Sequence, residues 1–444
     1  MWEESVRRTG RMARMALAGL CSAAPVLSHG QNAPASPPAG SSDSTQPAQN
    51  GLNYTSEAAG ADGDVPARRL VKWNEYDGPL LTLRVGGGFL YDYAAYAQDA
   101  ESKSQLSLSP ASGVRDFRLL AKGRFKFLPE RVSYTLGYMY DGAAKSWRFR
   151  QTGFQIEVPE GLGSLFIGRT KEGFSTNKIM VGYQGWTQER ATANDAFIPI
   201  LADGVKWTGT IPSGKFVYNV GFFRDDFSET ESFNKNDNQF VARAVWLPFT
   251  GNGTDTVLHL AVEERYGQAN DGYLRFRSKP ESFLAQEYAI DTGKFPASHS
   301  NTIGVESYYR PGPLTIGTEY YFNQVASHQT NDPLFHGGEI FVAYLLTGET
   351  RPYNVRGAYF DRISPKRPVF NGGPGAWELV LRFSYTDLDS GTIEGGKFWR
   401  ITPMANWHLS DNVRLEFSYG YGVLERFGTR GGTQFFQTRL QLQL

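Results

Sequence analysis

The sequence predicts an all-β fold, a transmembrane antiparallel β-barrel of 16 strands, with 18 strands as the alternative. Many segments alternate apolar and polar residues over about ten positions, as barrel strands that cross a membrane do. Aromatic residues make up 14% of the chain, and 49 of its 444 residues are glycine, which suits aromatic belts and tight turns. No apolar run of about 18 residues follows the N-terminal region, so helical membrane spans are not expected.

The N-terminal region predicts export from the cytoplasm. Residues 1–30 are expected to be a signal peptide, because four arginines precede an apolar stretch at 15–27 and small residues follow at 28–30. Residues 31–69 are rich in Pro, Ala and Ser and are expected to be a disordered periplasmic segment. The barrel is expected over 70–444. The single cysteine, Cys21, lies in the predicted leader, so neither a disulfide nor a thiolate metal site is expected.

Strand-like alternation continues through the rest of the chain. In one segment Trp377, Leu379 and Leu381 alternate with Glu378 and Arg382. About 17 such segments follow Leu80, and since single-chain bacterial barrels have an even number of strands, 16 is the preferred count. Short periplasmic turns are expected at 129–130, 212–214 and 410–412. Longer connections, external or folded inward, are expected at 172–203, 282–299 and 349–374.

The alternation also assigns each charge to a face of the wall. A charge on the lipid face near the midplane costs about 2–4 kcal/mol, so the apolar parity should face lipid and the other parity the lumen. In the predicted tenth strand, for example, Leu274 and Phe276 should face lipid, and Arg275 should face the lumen. In the predicted second strand, the inward-facing bases are Arg118, Lys122, Arg124 and Lys126. The residues predicted on this basis to line the pore and bind anions are Arg118, Lys122, Arg124, Lys126, Arg148, Arg150, Arg243, Arg275, Arg277, Arg382 and Arg400.

The same rule predicts a positive lumen in a chain whose net charge is zero, with 45 basic and 45 acidic residues. Inward-facing bases far outnumber inward-facing acids by this assignment. The inward acids are Glu263, Glu306, Glu319, Glu339, Glu378 and Glu416. Arginines and lysines along a pore favour anions, so the pattern predicts an anion-favouring lumen.

Several stretches, taken in their order along the chain, resemble one protein family. Residues 343–353, 375–389 and 168–174 are similar to the phosphate-selective porin O and P family, and the likeness extends over about 80–444. It implies a trimer of 16-stranded barrels in the bacterial outer membrane, with phosphate or polyphosphate as solute. It also implies that the third loop, about 172–203 here, folds inward and narrows the lumen. The residues implied near that constriction are Lys178, Glu189, Arg190 and Asp195.

These observations together predict a porin for passive diffusion of small anions. Expected partners are outer-membrane lipid, lipopolysaccharide, the barrel-assembly machinery and two further copies, and no nucleic acid. No cofactor or metal is expected, because the histidines lack ligand spacing. No enzyme activity is expected, because no nucleophile motif surrounds Ser418. Two alternatives remain open. One is a sugar or general small-solute porin guided by aromatic residues, and the other is a plugged structural barrel. The aromatics in question are Trp207, Trp246, Trp399 and Trp407.

Overall fold

The computed structural model describes residues 74–129, 131–158, 162–211, 215–225, 236–250 and 256–444. The predicted signal peptide and disordered segment, and the predicted turn at 212–214, lie outside these residues. Within the described part of the chain, no helix is both long enough and apolar enough to cross a bilayer.

Sixteen antiparallel strands close into a barrel, which confirms the preferred strand count. Neighbours in the chain are neighbours in the sheet, and closure comes from the last strand pairing with the first, where Arg439 lies opposite Asp92. The barrel strands are β1 Thr82–Gln98, β2 Ala111–Gly123, β3 Val132–Asp141, β4 Ser146–Glu157, β5 Ser164–Thr170, β6 Ala202–Thr210, β7 Phe216–Arg224, β8 Asn236–Phe249, β9 Thr256–Ala269, β10 His299–Pro311, β11 Leu314–Ala326, β12 Leu334–Leu345, β13 Ala376–Ser390, β14 Ile393–His408, β15 Val413–Arg426 and β16 Thr429–Gln443.

Short elements occupy the connections. A three-residue strand, Glu75–Asp77, pairs with the start of β1. Two-residue strands pair within residues 270–298 and within 346–375. The described α-helices are α1 Ala100–Gln105, α2 Thr176–Ile179 and α3 Thr192–Phe197, of which α2 and α3 belong to the connection between β5 and β6. Short 3₁₀-helices lie at Gly182–Gln184, His328–Thr330 and Val369–Asn371.

The two ends of the barrel differ in the length of their connections. The end that carries the start of β1 and the end of β16 has mostly short turns, as periplasmic ends do. The long connections 171–201 and 270–298 leave from the opposite end. Residues 346–375 leave from the short-turn end. Within them the Tyr353 hydroxyl lies 2.7 Å from His259 Nδ1, and the Ala358 carbonyl accepts a hydrogen bond from Arg243.

The wall separates apolar and polar side chains by parity. In β13 Leu379, Leu381 and Phe383 are about half exposed, whereas Glu378 and Arg382 between them are buried. An outward row of apolar groups beside an inward row of polar groups is the pattern of a wall between hydrocarbon and an aqueous bore.

Two predicted strand assignments are wrong. The segment taken as a tenth strand belongs to the connection 270–298, and Leu274 and Phe276 are buried in an apolar cluster instead of facing lipid. Alternation misleads here because a folded connection can also alternate between covered and exposed positions. The second strand ends at Gly123, so Arg124 and Lys126 lie beyond it, at the short-turn end.

Candidate functional site

Most inward-facing arginines have a carboxylate partner. Arg243 lies 2.9 Å from Glu306, and both side chains are fully buried. Arg265 donates to Glu172 at 2.8 Å, and Arg382 is paired with Glu281. Glu172 and Glu281 belong to connections, which the count of strand residues did not include. The lumen is therefore far less positive along most of its length than the strand residues alone predicted.

Several other predicted pore residues lie away from any common site. Arg400 is buried with its guanidinium 4.2 Å from the Phe435 ring, and it donates to backbone carbonyls in the 270–298 connection. Arg275 pairs with Asp291, and Arg277 stacks on Tyr288, both within that connection. The half-buried Arg148 donates to Ser146 at 3.2 Å.

The four bases predicted on the second strand separate into two groups. Arg118 is buried and faces inward, and the half-buried Lys122 lies opposite Arg84 nearer the short-turn end. Arg124 and Lys126 are exposed after the strand has ended, where the Lys126 ammonium contacts Asp77. The last two residues are therefore not part of the lumenal wall, which corrects the prediction.

The connection 171–201 begins with a helix that is held by buried carboxylates. The backbone N–H of Ser175 donates to Glu263, and its hydroxyl donates to Glu319, each at 2.6 Å. Thr176 donates to Glu306 through its backbone at 3.0 Å and through its hydroxyl at 2.6 Å. These inward-facing carboxylates lie on β9, β10 and β11, so the first turn of α2 is attached to one side of the barrel.

Further along, the same connection contacts strands on the other side. Glu189 accepts from Arg115 on β2 at 2.9 Å and from Arg439 on β16 at 2.5 Å. The Gln188 amide donates to the backbone carbonyls of Glu416 and Gln437 on β15 and β16. Residues 171–201 thus join inward-facing groups of strands that lie far apart around the closed wall.

Of the residues implied near a constriction, Glu189 and Arg190 line a common cavity, whereas the Lys178 ammonium is paired with Asp195 at 2.7 Å. This cavity, of about 60 Å³, lies between residues 171–201 and strands β1–β4 and β16. Its lining contains six bases and three carboxylates. The bases are Arg115, Arg118, Arg150, Lys171, Arg190 and Arg439, and the carboxylates are Asp116, Asp141 and Glu189.

Sequence reasoning missed Arg115 because of a β-bulge. The register of β1 against β2 shifts between Asp116 and Val114, and Arg115 is the extra residue. Strict alternation would point Arg115 at lipid, but at the bulge its side chain reaches Glu189. The adjacent charges Arg115 and Asp116 were the available signal, because strict alternation would place one of them in hydrocarbon. A second bulge, opposite Gly137, includes Arg150.

Two groups of the 171–201 connection have shifted pKa values. Burial alone would raise the pKa of Glu189, but the guanidinium groups of Arg115 and Arg439 outweigh it and hold that pKa at about 2. Burial, and then the positive charges of Arg190 and Arg150, lower the pKa of Lys171 well below its ordinary value. Glu189 is therefore ionised at neutral pH, and the lining residues include three more bases than carboxylates when Lys171 is protonated. One of these bases, Arg439, also pairs with Asp92, which lies outside the lining.

Comparisons with known proteins agree with this architecture. An uncharacterized protein of Caulobacter vibrioides is 28% identical over 245 residues, which are 53% of this chain and 49% of that protein. Porin O of Pseudomonas aeruginosa is 26% identical over 235 residues, 46% of this chain and 52% of Porin O. The chain spans about half the length of the curated relatives it matches.

Solved outer-membrane proteins share the fold at low sequence identity. The outer-membrane channel DcaP of Acinetobacter baumannii superposes with a TM-score of 0.53 at 8% identity, over 83% of this chain and 99% of DcaP. OmpT of Vibrio cholerae gives 0.51 at 12% identity, over 83% and 99%. The model of the family described as phosphate-selective porin O and P matches residues 83–444. The chain therefore belongs to that family and is a β-barrel protein of the bacterial outer membrane.

Proposed function

We propose that the chain is a porin through which small anions diffuse passively, and that the basic cavity is where it selects them. The observation that carries this proposal is the convergence of six bases and three carboxylates on one cavity. Elsewhere in the described bore many of the arginines are matched by carboxylates. A local excess of positive charge attracts anions and repels cations, most strongly where the path is narrow.

The narrow path is attributed to residues 171–201, which we propose lie across the bore. Two sets of contacts support this position. On one side, carboxylates on β10 and β11 accept hydrogen bonds from the start of α2, and on the other side, Glu189 accepts hydrogen bonds from arginines on β2 and β16. A segment attached at both sides by buried ionic groups would keep its position while solutes pass.

Phosphate or polyphosphate is the proposed solute within the class of anions. Five of the six cavity bases are arginines, four on the wall strands and one on the connection. The planar guanidinium group of arginine can donate two parallel hydrogen bonds to phosphate oxygens. The likeness to Porin O and the matching family model support the same choice. No step of this proposal needs a cofactor, a metal or catalysis.

A sugar-guiding function has less support. Trp207 and Trp246, two of the aromatics considered for it, are on the outward, exposed parity of β6 and β8. Trp407 stacks on Trp377 with ring centres 4.9 Å apart, also on outward-parity positions. Aromatic residues on that face are placed to anchor the barrel at the membrane interfaces. A plugged structural barrel would conduct no ions after insertion in planar bilayers.

Removing one cavity charge should weaken anion preference. Two unit charges about 5 Å apart in water interact by about 0.8 kcal/mol, so Arg118→Gln should lower the anion-to-cation permeability ratio by up to about fourfold. Arg124→Gln is the matched control, because Arg124 lies outside the lumenal wall. The measurement is the reversal potential under a salt gradient. Equal effects of the two substitutions, or none, would contradict the proposed site.

Neutralising the paired carboxylate should have the opposite effect. Glu189→Gln removes the counter-charge of Arg115 and one of the two counter-charges of Arg439, which stays paired with Asp92. Inorganic phosphate should therefore block chloride current at a concentration about fourfold lower. Glu75→Gln, in the short strand outside the barrel, serves as the control. Weaker phosphate block in Glu189→Gln would mean that Glu189 holds the arginines in their binding positions instead of competing with the anion.

Selectivity should also depend on pH through Lys171. Since its pKa is lowered, Lys171 gains its proton only as the pH falls well below the ordinary lysine value, and the cavity then becomes more positive. The anion-to-cation permeability ratio should therefore rise as the pH is lowered from 10 to 5. Lys171→Arg should keep the ratio high throughout, and Lys171→Met should keep it low. A wild-type ratio that does not change with pH would refute this role.

The attachment of α2 should limit conductance. Thr176→Val removes a hydrogen bond to a buried carboxylate, which is worth about 1.5–3 kcal/mol. We expect a larger and more variable single-channel current as residues 171–201 loosen. Thr318→Val, on the outward parity of β11, is the control. An unchanged current in Thr176→Val would show that these residues do not restrict the path.

A further inference from the structure

Two further cavities lie between the basic cavity and the short-turn end, inside the pair of strands β1 and β16 that closes the barrel. The first shares Arg118 and Val181 with the basic cavity, and the second shares Tyr183 and Gln443 with the first. Each has a volume of about 10 Å³, which is roughly the room that one water molecule needs. The three cavities thus form a row that ends at the turn 410–412.

The Tyr183 side chain lies across this row. Its hydroxyl donates a hydrogen bond to Asp116 in the lining of the basic cavity, and the Arg118 guanidinium lies 4.7 Å from the centre of its ring. The tip of the ring also rests on β1 at Gly88, where a methyl group would come within 2.5 Å of the ring carbon Cζ. The ring therefore spans the space between the 171–201 connection and the wall strands β1 and β2.

The backbone that carries this ring is held in place. The Tyr183 carbonyl accepts a hydrogen bond from the Gln441 amide at 3.0 Å, and the Gln184 carbonyl accepts one from Arg351 at 2.6 Å. The Gln184 amide donates to Asp361 at 2.5 Å. The row of cavities can therefore open here by rotation of the Tyr183 side chain alone, without movement of the 3₁₀-helix.

We infer that anions leave the basic cavity along β1 and β16, and that the Tyr183 side chain closes this route until it rotates away. Phosphate does not fit a space of one water molecule, so the ring must move for it to pass. On this basis the cavity bases select the charge of the solute, and Tyr183 limits its size. The inference rests on the proposed anion pathway and adds its exit and its gate.

Removing the hydroxyl tests the gate. Tyr183→Phe keeps the ring but loses the hydrogen bond to a charged carboxylate, so the open fraction should rise by about tenfold. The mean single-channel chloride current should rise, and the reversal potential should not change because every base remains. Tyr385→Phe is the matched control, since that hydroxyl donates to Asp387 at 3.1 Å on the outward parity. Equal currents in the two variants would overturn the inference.

Solute size provides a second test. Tyr183→Ala should raise the permeability of gluconate relative to chloride several-fold. Gly88→Ala places a methyl group where the ring lies, so it should raise the same ratio when Tyr183 is present and should not when Tyr183 is alanine. Heat-modifiable electrophoretic mobility shows that each barrel has folded. An unchanged ratio in Tyr183→Ala would mean that this ring does not limit the solute.

The route itself is tested with a single thiol. Cys21 is the only cysteine in the sequence, so Gln443→Cys in a Cys21→Ser background places one thiol in both lower cavities. An anionic methanethiosulfonate reagent, added on the side of the long connections, should lower the chloride current slowly. Adding Tyr183→Ala should make this reaction at least about tenfold faster, as expected when a gate is removed. Equal rates would place the route elsewhere in the bore.

Failure of this inference differs from failure of the anion proposal. If Arg118→Gln leaves the selectivity unchanged while Tyr183→Phe raises the current, the gate stands and the selecting site is wrong. If Arg118→Gln lowers the anion preference while Tyr183→Phe and Tyr183→Ala change neither current nor size limit, the site stands and the gate is wrong.

Discussion

The structure depends on one constraint, which is that every side chain of a barrel strand must meet either hydrocarbon or the interior. In β13 this separates exposed Leu381 from buried Arg382, one residue apart. Because charges are driven inward, the bore would accumulate mutually repelling groups unless they were paired. In the buried Arg243–Glu306 pair the two charges neutralise each other, and Glu306 also accepts a hydrogen bond from Thr176 at the start of α2.

Ionic groups in this bore therefore have two physical roles. Where carboxylate and guanidinium match, as for Arg382 and Glu281, they fix connections to the wall. Where bases exceed acids, they leave a field that acts on mobile ions. A count of lumenal arginines cannot separate the roles. Arg118 pairs with Asp116 on its own strand but lies in a cavity whose lining has more bases than carboxylates, whereas Arg382 lies beside both Glu281 and Glu339.

This explains how far the sequence could predict the molecule. Period-two alternation, which is local, gave the inward direction of Arg118 and about 17 strand-like segments, and the preference for an even number of strands reduced that count to 16. The fate of Leu274 did not, because its covering residues come from distant parts of the chain. Arg115 was hidden by a one-residue bulge that reverses parity. The partners of Glu189 could not be found from sequence spacing, because they lie 74 and 250 residues away.

The distant partners of the β5–β6 connection also affect the order of folding. Residues 171–201 are synthesised before every strand from β6 onward, yet Glu189 binds Arg439 on the last strand, which also pairs with the first. The connection cannot reach its final contacts until the sheet has closed on itself. Its docking must be a late step, governed by the slow formation of contacts between remote segments. If residues 171–201 lie across the bore as proposed, an assembling barrel passes through a wider form before these residues reach their final contacts.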